Sequence, residues 1–369
     1  MKIGLIAHYG EDYYKSRVDF LEYLQEKENE IFSLVPEDDY KDKVDLLNQK
    51  VYYYSYSRSW RFMLSLFSTY KLFISVFKKE KPDVLFTYKF FPNIVGIFAA
   101  RKTKIPKIVS TIAGLGFLEK RKESVLIKYV FKFYMNILNK ADYVVTQNTE
   151  DLELLKKHLS KPQLILTHGS GVNSEKMTTS TEDKVDFIFQ NNLDFKKKYI
   201  TFCSRIVKEK GILELVEAYN QTSLDYELII AGWFDEKGLE EEVLNKIKDN
   251  PKIHYLGYQK NVSNLLSISD IIILPSYYPE GVPRSLIEAL AWSKIIITTN
   301  HKGCKETCID GENGYLVEPR SIISLINVFQ KLNEQDNDSL TTFRHRSRKL
   351  FDEKFDREIV YNTIWNAVK

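Results

Sequence analysis

The chain carries only three cysteines, Cys203, Cys304 and Cys308, in 369 residues. That excludes a disulfide framework and fits a reducing compartment. His301 lies close to Cys304 and Cys308. A fourth ligand and a paired knuckle are missing, so no metal site is expected there. No apolar run approaches the roughly 20 residues that cross a bilayer. The opening M-K-I-G-L-I-A-H reads as a strand and not as a secretory signal. The first turn holds Gly10 but no full G-x-G-x-x-G, which gives a dinucleotide site little support. No Asp-x-Asp follows a strand run to hold a divalent metal, and no side chain stands out as an enzymic nucleophile.

What is present suits a globular chain: 44% apolar and 28% charged residues, with a length that suggests two domains. The net charge of +3 is unevenly placed. Residues 50–140 hold 18 Lys/Arg against 4 Asp/Glu, so the remainder is acidic. A basic region of this kind offers a surface to an anionic partner, and nucleic acid and anionic lipid both qualify on charge alone.

Compact apolar runs alternate with helical patterns. Lys2–His8, Ile31–Val35, Val51–Tyr56, Asp83–Tyr88, Lys107–Thr111, Tyr143–Thr146 and Gln163–Thr167 read as strands. Helices are expected between them, among them Ser16–Lys27, Trp60–Lys79, Phe91–Arg101 and Asp151–Leu159. Gly10 would allow close approach of the backbone to a phosphate or sugar, and Arg17 stands early enough in its helix to reach an anion. Glu119–Lys140 interleaves Lys120, Arg121, Lys122, Lys128, Lys132 and Lys140 with Val, Leu, Ile, Tyr and Phe. Such a helix either lies in a membrane interface or packs in the core behind a solvated lysine face. After a polar stretch at 174–197 the alternation restarts, with strands at Tyr199–Ser204, Glu227–Gly232 and Ile253–Leu256. Two blocks of βα alternation predict an α/β chain of two doubly wound parallel domains.

The most informative stretch is Pro275–Pro319. The run Ile271–Leu274 reads as a buried parallel strand. A turn with Pro279, Gly281 and Pro283 follows, and Pro283 suits the start of a helix through Ser285–Trp292. Glu280 therefore lies on a loop at a strand's carboxyl end, and Glu288 about a turn and a half into the helix. Helix N–H groups attract a diphosphate, and carboxylates accept from paired sugar hydroxyls. Upstream, Arg205 and Lys210 stand five apart in S-R-I-V-K-E-K-G, on a loop entering a helix, where both can converge on one anionic group.

These stretches resemble the donor site of glycosyltransferase family 4, whose members are retaining enzymes of GT-B fold. The Glu-x7-Glu pattern matches Glu280 and Glu288, S-R-x4-K-G matches Arg205 and Lys210, and Gly303, Glu306, Gly311 and Gly314 match downstream. The resemblance covers nearly the whole chain. It implies two Rossmann-like domains facing a central cleft: an acceptor-binding domain at 1–173, a nucleotide-sugar domain at 174–350 with its linker at 174–197, and a helix within 351–369 crossing back to the first domain. It gives Glu280 the donor hexose, Glu288 the ribose, and Arg205 and Lys210 the diphosphate in place of a metal, so no cofactor is expected. Gly281, Val282, Pro283 and Arg284 frame that site, and Tyr258 falls at the base-binding turn. Gly and then Pro usually end the helix in this family. Here Ser293 and Ile295 stand instead, and a left-handed cap would strain Ser293.

The acceptor side is thinner. Relatives often carry His in the loop after Lys107–Thr111, where this chain has T-I-A-G-L-G-F-L. The G-L-G form is similar to bacterial transferases that extend sugars on undecaprenyl diphosphate. It implies Gly114, Gly116, Lys120 and Arg17 at the acceptor. A UDP-sugar donor, a polyprenyl-diphosphate-linked acceptor and an anionic membrane at the cytoplasmic face are the expected partners. Two rivals stand beside this: a soluble glycosyltransferase with a non-lipid acceptor, and a nucleic-acid-binding protein using 50–140. No nucleic-acid module is recognisable, so no nucleic-acid partner is expected.

Overall fold

A computed structural model describes residues 1–47, 49–55, 62–116, 118 and 124–369. The chain divides into two units: Met1–Ser170 with Arg357–Lys369, and Gly171–Asp356. The junctions fall three residues before and six residues after the positions expected from sequence, 173 and 350. Residues 351–356 stay with the second unit because the Val172 amide donates to the Phe355 carbonyl at 3.1 Å.

The first unit is built on β1 (Lys2–Ile6), β2 (Glu30–Pro36), β3 (Lys50–Tyr54), β4 (Val84–Tyr88), β5 (Lys107–Ile112), β6 (Tyr143–Thr146) and β7 (Gln163–Leu166). Every pairing is parallel, in the order β3-β2-β1-β4-β5-β6-β7. Their unbroken apolar runs suit strands covered on both faces. One face packs on α1 (Val18–Glu26), the other on α2 (Phe62–Glu80) and α3 (Phe90–Thr103). Helical backbone begins before the expected Ser16, at Gly10, and passes through a π-helical turn at Tyr13–Arg17. The helix expected at Glu119–Lys140 is described from Val125 to Leu138 and is α4. Its last turns bury Tyr134, Met135, Ile137 and Leu138, while Val125, Leu126, Tyr129 and Phe133 stand exposed beside Lys128 and Lys132.

The second unit contains β8 (Lys198–Cys203), β9 (Tyr226–Ala231), β10 (Ile253–Gly257), β11 (Ile271–Leu274), β12 (Ile295–Thr299) and β13 (Gly314–Val317). Again all pairs are parallel, in the order β10-β9-β8-β11-β12-β13. Helices α5 (Ile212–Asn220), α6 (Arg284–Ala291) and α7 (Asn337–Lys354) bury their apolar stripes in the core around this sheet. The last helix, α8 (Arg357–Val368), belongs to the first unit. There Tyr361 packs edge-on against Phe20 and Tyr23, and the Tyr23 hydroxyl donates to Asn362 at 2.7 Å.

Both sheets reverse direction once. In the first unit the strand order turns between β1 and β4; in the second, between β8 and β11. Ligands of open α/β sheets bind outside the carboxyl ends of the strands at such switch points.

Candidate active site

At the second switch point, β8 runs into Ser204-Arg205 and a 3-10 turn at Lys208–Lys210, and β11 runs into the loop Pro275–Pro283. The two segments are tied together. The Tyr277 amide donates to the Glu209 carbonyl at 2.8 Å, and Lys210 forms an ion pair with Glu280. Both partners are largely buried. Ser276, fully buried, donates to Glu280 Oε1 at 3.0 Å and accepts from the Tyr278 amide at 3.2 Å. The carboxylate expected on the donor sugar is thus fixed by an ammonium and a hydroxyl on adjacent strand ends.

Three glycines allow this closeness. Gly211 has φ of 76°, and a Cβ there would lie 2.2 Å from the Pro275 carbonyl oxygen. Gly303 has φ of 77°, and its Cβ would meet the Gly281 oxygen at 1.9 Å. At Gly232 a Cβ would meet the Ser204 oxygen at 1.9 Å. Each distance is far inside van der Waals contact, so no other residue fits without moving the loops that carry Arg205, Lys210 and Glu280.

Val282 is buried and Pro283 is the N-cap of α6, with φ of −61°. Arg284 in the first turn donates from Nε to Glu288 Oε1 at 2.8 Å, one turn on. The charge of Glu288 reaches the end of β8: the Cys203 thiol is pushed up to about 12 by burial first and by Glu288 second. Cys304 is likewise raised to about 12 by burial, with Glu280 adding to the shift. Neither thiol ionises near neutrality, which removes both as nucleophiles. Among the described residues no three His, Cys, Asp or Glu side chains gather as ligands for a metal ion.

Arg205 does not join Lys210 on a shared partner. Its guanidinium pairs with Asp235 at 2.7 Å, past the end of β9, and is two-fifths exposed. Tyr258, past β10, is half exposed and stands edge-to-face with Trp233, ring centroids 5.5 Å apart. Together the two rings make an open aromatic corner at the carboxyl ends of β9 and β10. Sequence reasoning found Tyr258 and passed over Trp233, Asp235 and Ser276. The available signal was position: Trp233 follows Gly232 at a strand end as Tyr258 follows Gly257.

In the first unit the Gly10 amide is already engaged, donating to Asp38 Oδ2 at 2.7 Å. A Cβ on Gly10 would meet Asp38 Oδ1 at 2.3 Å, so an internal carboxylate accounts for this glycine. Arg17 is buried. It pairs with Asp12 at 3.3 Å and its guanidinium lies 4.2 Å from the centroid of the Tyr88 ring. Gly114 adopts φ of 94° in the loop after β5, beside Gly116. Lys120 lies outside the described residues.

The chain matches the family described as glycosyl transferases group 1 over residues 183–350, and that described as glycosyl transferase 4-like over 2–148. A Campylobacter jejuni N,N'-diacetylbacillosaminyl-diphospho-undecaprenol alpha-1,3-N-acetylgalactosaminyltransferase is 26% identical, with 98% of this chain and 96% of that one aligned. An Escherichia coli UDP-Gal:alpha-D-GlcNAc-diphosphoundecaprenol alpha-1,3-galactosyltransferase is 28% identical over 74% of this chain and 70% of its own. Among solved structures, a Rickettsia africae glycosyltransferase superposes with a TM-score of 0.85 at 20% identity, covering 99% of this chain and 97% of its own. Anabaena HepE, crystallised with UDP and glucose, superposes with a TM-score of 0.81 at 17% identity, covering 100% and 99%.

Proposed function

Because the chain belongs to the group 1 and 4-like glycosyltransferases and has the GT-B fold, we propose that it moves a hexose or N-acetylhexosamine from a UDP-sugar to a lipid-diphosphate-linked sugar. Transfer proceeds with retention and without a metal, in the assembly of a bacterial glycan, capsule or glycoprotein. The observation that carries the reading is the buried Lys210–Glu280 pair at the switch point of the second sheet.

The mechanism follows from charge. Breaking the sugar–diphosphate bond builds negative charge on the departing phosphate and positive character on the sugar ring. Lys210 and Arg205 neutralise the phosphate, which is the work a divalent metal would otherwise do. Glu280 accepts from the sugar hydroxyls and fixes the ring. Glu288, oriented by Arg284, accepts from the ribose. The Trp233–Tyr258 corner takes the uracil by stacking. With no side chain among the described residues placed as nucleophile, the acceptor hydroxyl attacks from the face the phosphate leaves, and the departing phosphate oxygen takes its proton.

A lipid-linked acceptor is supported by the relatives named for undecaprenyl-diphosphate substrates. No described helix is long and apolar enough to cross a membrane. The exposed Val125, Leu126, Tyr129 and Phe133 of α4, with Lys128 and Lys132 alongside, suit contact with an anionic bilayer surface at the inner face of the cell membrane.

The test is UDP release from a panel of UDP-sugars, with and without an undecaprenyl-diphosphate-linked sugar. Turnover should appear with one donor and rise with the acceptor, unaffected by EDTA. Glu280→Ala and Arg205→Ala should each lose at least a hundredfold in kcat. Arg205→Ala, at an exposed side chain, should keep the wild-type melting temperature, whereas Glu280→Ala strands the buried Lys210 ammonium and should melt lower. Full activity in both variants would remove the site assignment. A transfer product only with a non-lipid acceptor, and no salt-sensitive sedimentation with anionic vesicles, would favour a soluble enzyme.

A further inference from the structure

The first sheet carries a charged cluster at its own switch point. Asp12 follows β1, and Lys89 follows β4, the strand paired to it. Asp12 Oδ1 lies 3.3 Å from the Arg17 guanidinium and 3.2 Å from the Lys89 ammonium. Two cations share one carboxylate, so the cluster keeps one positive charge. Burial acts to raise Asp12, but Arg17 and Lys89 outweigh it and hold the carboxyl well below the usual range. It is therefore an anion at neutral pH and the excess charge is real.

Three features set this cluster apart from a structural ion pair. First, it is incomplete: Arg17 Nε and Asp12 Oδ2 are buried without hydrogen-bond partners. Another buried carboxylate of the unit, Glu80, is closed on itself, with Tyr52 on one oxygen and Lys50 and Lys2 on the other. Second, Lys89 adopts φ of 70° and ψ of 177°, a region nearly reserved for glycine. The strain is locked in by the Lys89 amide, which donates to the Thr111 carbonyl of β5 at 3.1 Å. Third, one of the two residues that hold the carboxylate, Arg17, comes from a π-helical turn, a rare distortion that recurs at functional sites.

Exposure divides the labour. The Arg17 and Asp12 side chains are 7% and 13% exposed, whereas Lys89 is 34% exposed. Lys89 is also the N-cap of α3, a helix of 14 residues whose positive dipole end lies at the same place. We propose that Lys89, held by Asp12 and Arg17, is the seat for the diphosphate of the lipid-linked acceptor. Asp12 occupies one of the three ammonium hydrogens, which leaves the others for phosphate oxygens. The assignment rests on the transferase reading given above and moves the acceptor contact from Arg17, which is sequestered, to Lys89.

The experiment uses the full chain, its preferred UDP-sugar, and an undecaprenyl-diphosphate-linked N-acetylhexosamine in detergent micelles. Lys89→Ala should raise the acceptor KM roughly ten- to hundredfold, the range for losing one charge-assisted hydrogen bond, with the donor KM unchanged. Lys89→Arg should restore much of it. Lys89→Gly removes the ammonium and the strain together, so it should melt no lower than wild type and still show the raised acceptor KM. In calorimetry on UDP-saturated protein, inorganic pyrophosphate should bind the wild type and not Lys89→Ala. An unchanged acceptor KM in Lys89→Ala, or an equal rise in the donor KM, overturns the proposal, as does a lower melting temperature with reduced kcat at constant acceptor KM. Wild type that transfers to no lipid diphosphate yet binds pyrophosphate through Lys89 would sink the transferase reading and keep the anion seat.

Discussion

At the switch point of the second sheet, the residues that grip charge rest on glycine. Gly211, Gly232 and Gly303 sit where a Cβ would collide with a backbone oxygen. At the switch point of the first sheet, the comparable place is taken by Lys89, forced into backbone space that glycine normally fills. Both arrangements bring a lysine to a carboxylate across adjacent strand ends. The second does so by choosing residues that feel no strain. The first stores strain in the residue that bears the charge, which is the pattern expected where position matters more than stability. Gly211→Ala tests the half built on glycine. A Cβ in left-handed space and against the Pro275 oxygen should cost about 4 kcal/mol, and the shift of Lys210 should suppress turnover in whatever protein folds. Wild-type melting and wild-type kcat in this variant would break the comparison, because the glycines would then be incidental.

Glu80 sharpens the contrast from within the first unit. It ends α2 and joins Lys2 at the start of β1 to Lys50 and Tyr52 of β3, at the opposite end of the strands from Lys89. Burial acts to raise its carboxyl, but the hydrogen bonds from Lys50, Tyr52 and Lys2 win and lower it to about 2. A lowered folded-state value means stability that is whole above the ordinary Glu value of about 4.3 and lost as pH falls toward 2. Glu80→Gln should therefore cost roughly 3 kcal/mol at pH 7, with the penalty shrinking below pH 4, while acceptor and donor KM stay as they are. Denaturant titrations at pH 7 and pH 3 measure it. A change in acceptor KM would mean that the satisfied and unsatisfied clusters do not differ in kind.

Much of this was legible in the sequence. Unbroken runs such as Ile271–Leu274 announce strands covered on both faces, and Pro283, Glu280 and Glu288 announce the loop and helix that follow. Pairings between distant segments were not legible. Nothing local links Arg205 to Asp235, 30 residues away, or Lys210 to Glu280, 70 residues away. Gly10 was read as room for a ligand, and the room is taken by Asp38, 28 residues on. Arg17 looked free to reach an anion because its partners, Asp12 and the Tyr88 ring, meet it only after the π-helical turn and β4 are in place. Lys89 carried no mark at all, since only neighbouring strands, and no property of lysine, force its φ positive. His168 shows the same limit: nothing in the residue itself announces its φ of 49°.

Ser293 is an exception inside the unit whose site is braced by glycine, and it gives the finest test. It follows α6 with φ of 54°. Its amide donates to the Leu290 carbonyl at 2.9 Å, and the Lys294 amide reaches back to Ala289 at 2.9 Å. This is a Schellman cap, whose left-handed position favours glycine. Unlike Lys89, Ser293 carries no charge to place, so its strain has no return in binding. Ser293→Gly should stabilise the protein by about 1 kcal/mol, read as a higher denaturant midpoint, with kcat and both KM values unchanged. Lys89→Gly relieves the same kind of strain and should damage acceptor binding. If both glycine variants keep wild-type kinetics, strain at Lys89 is as idle as strain at Ser293. If Ser293→Gly slows transfer, the cap of the helix bearing Glu288 has a part in holding that carboxylate.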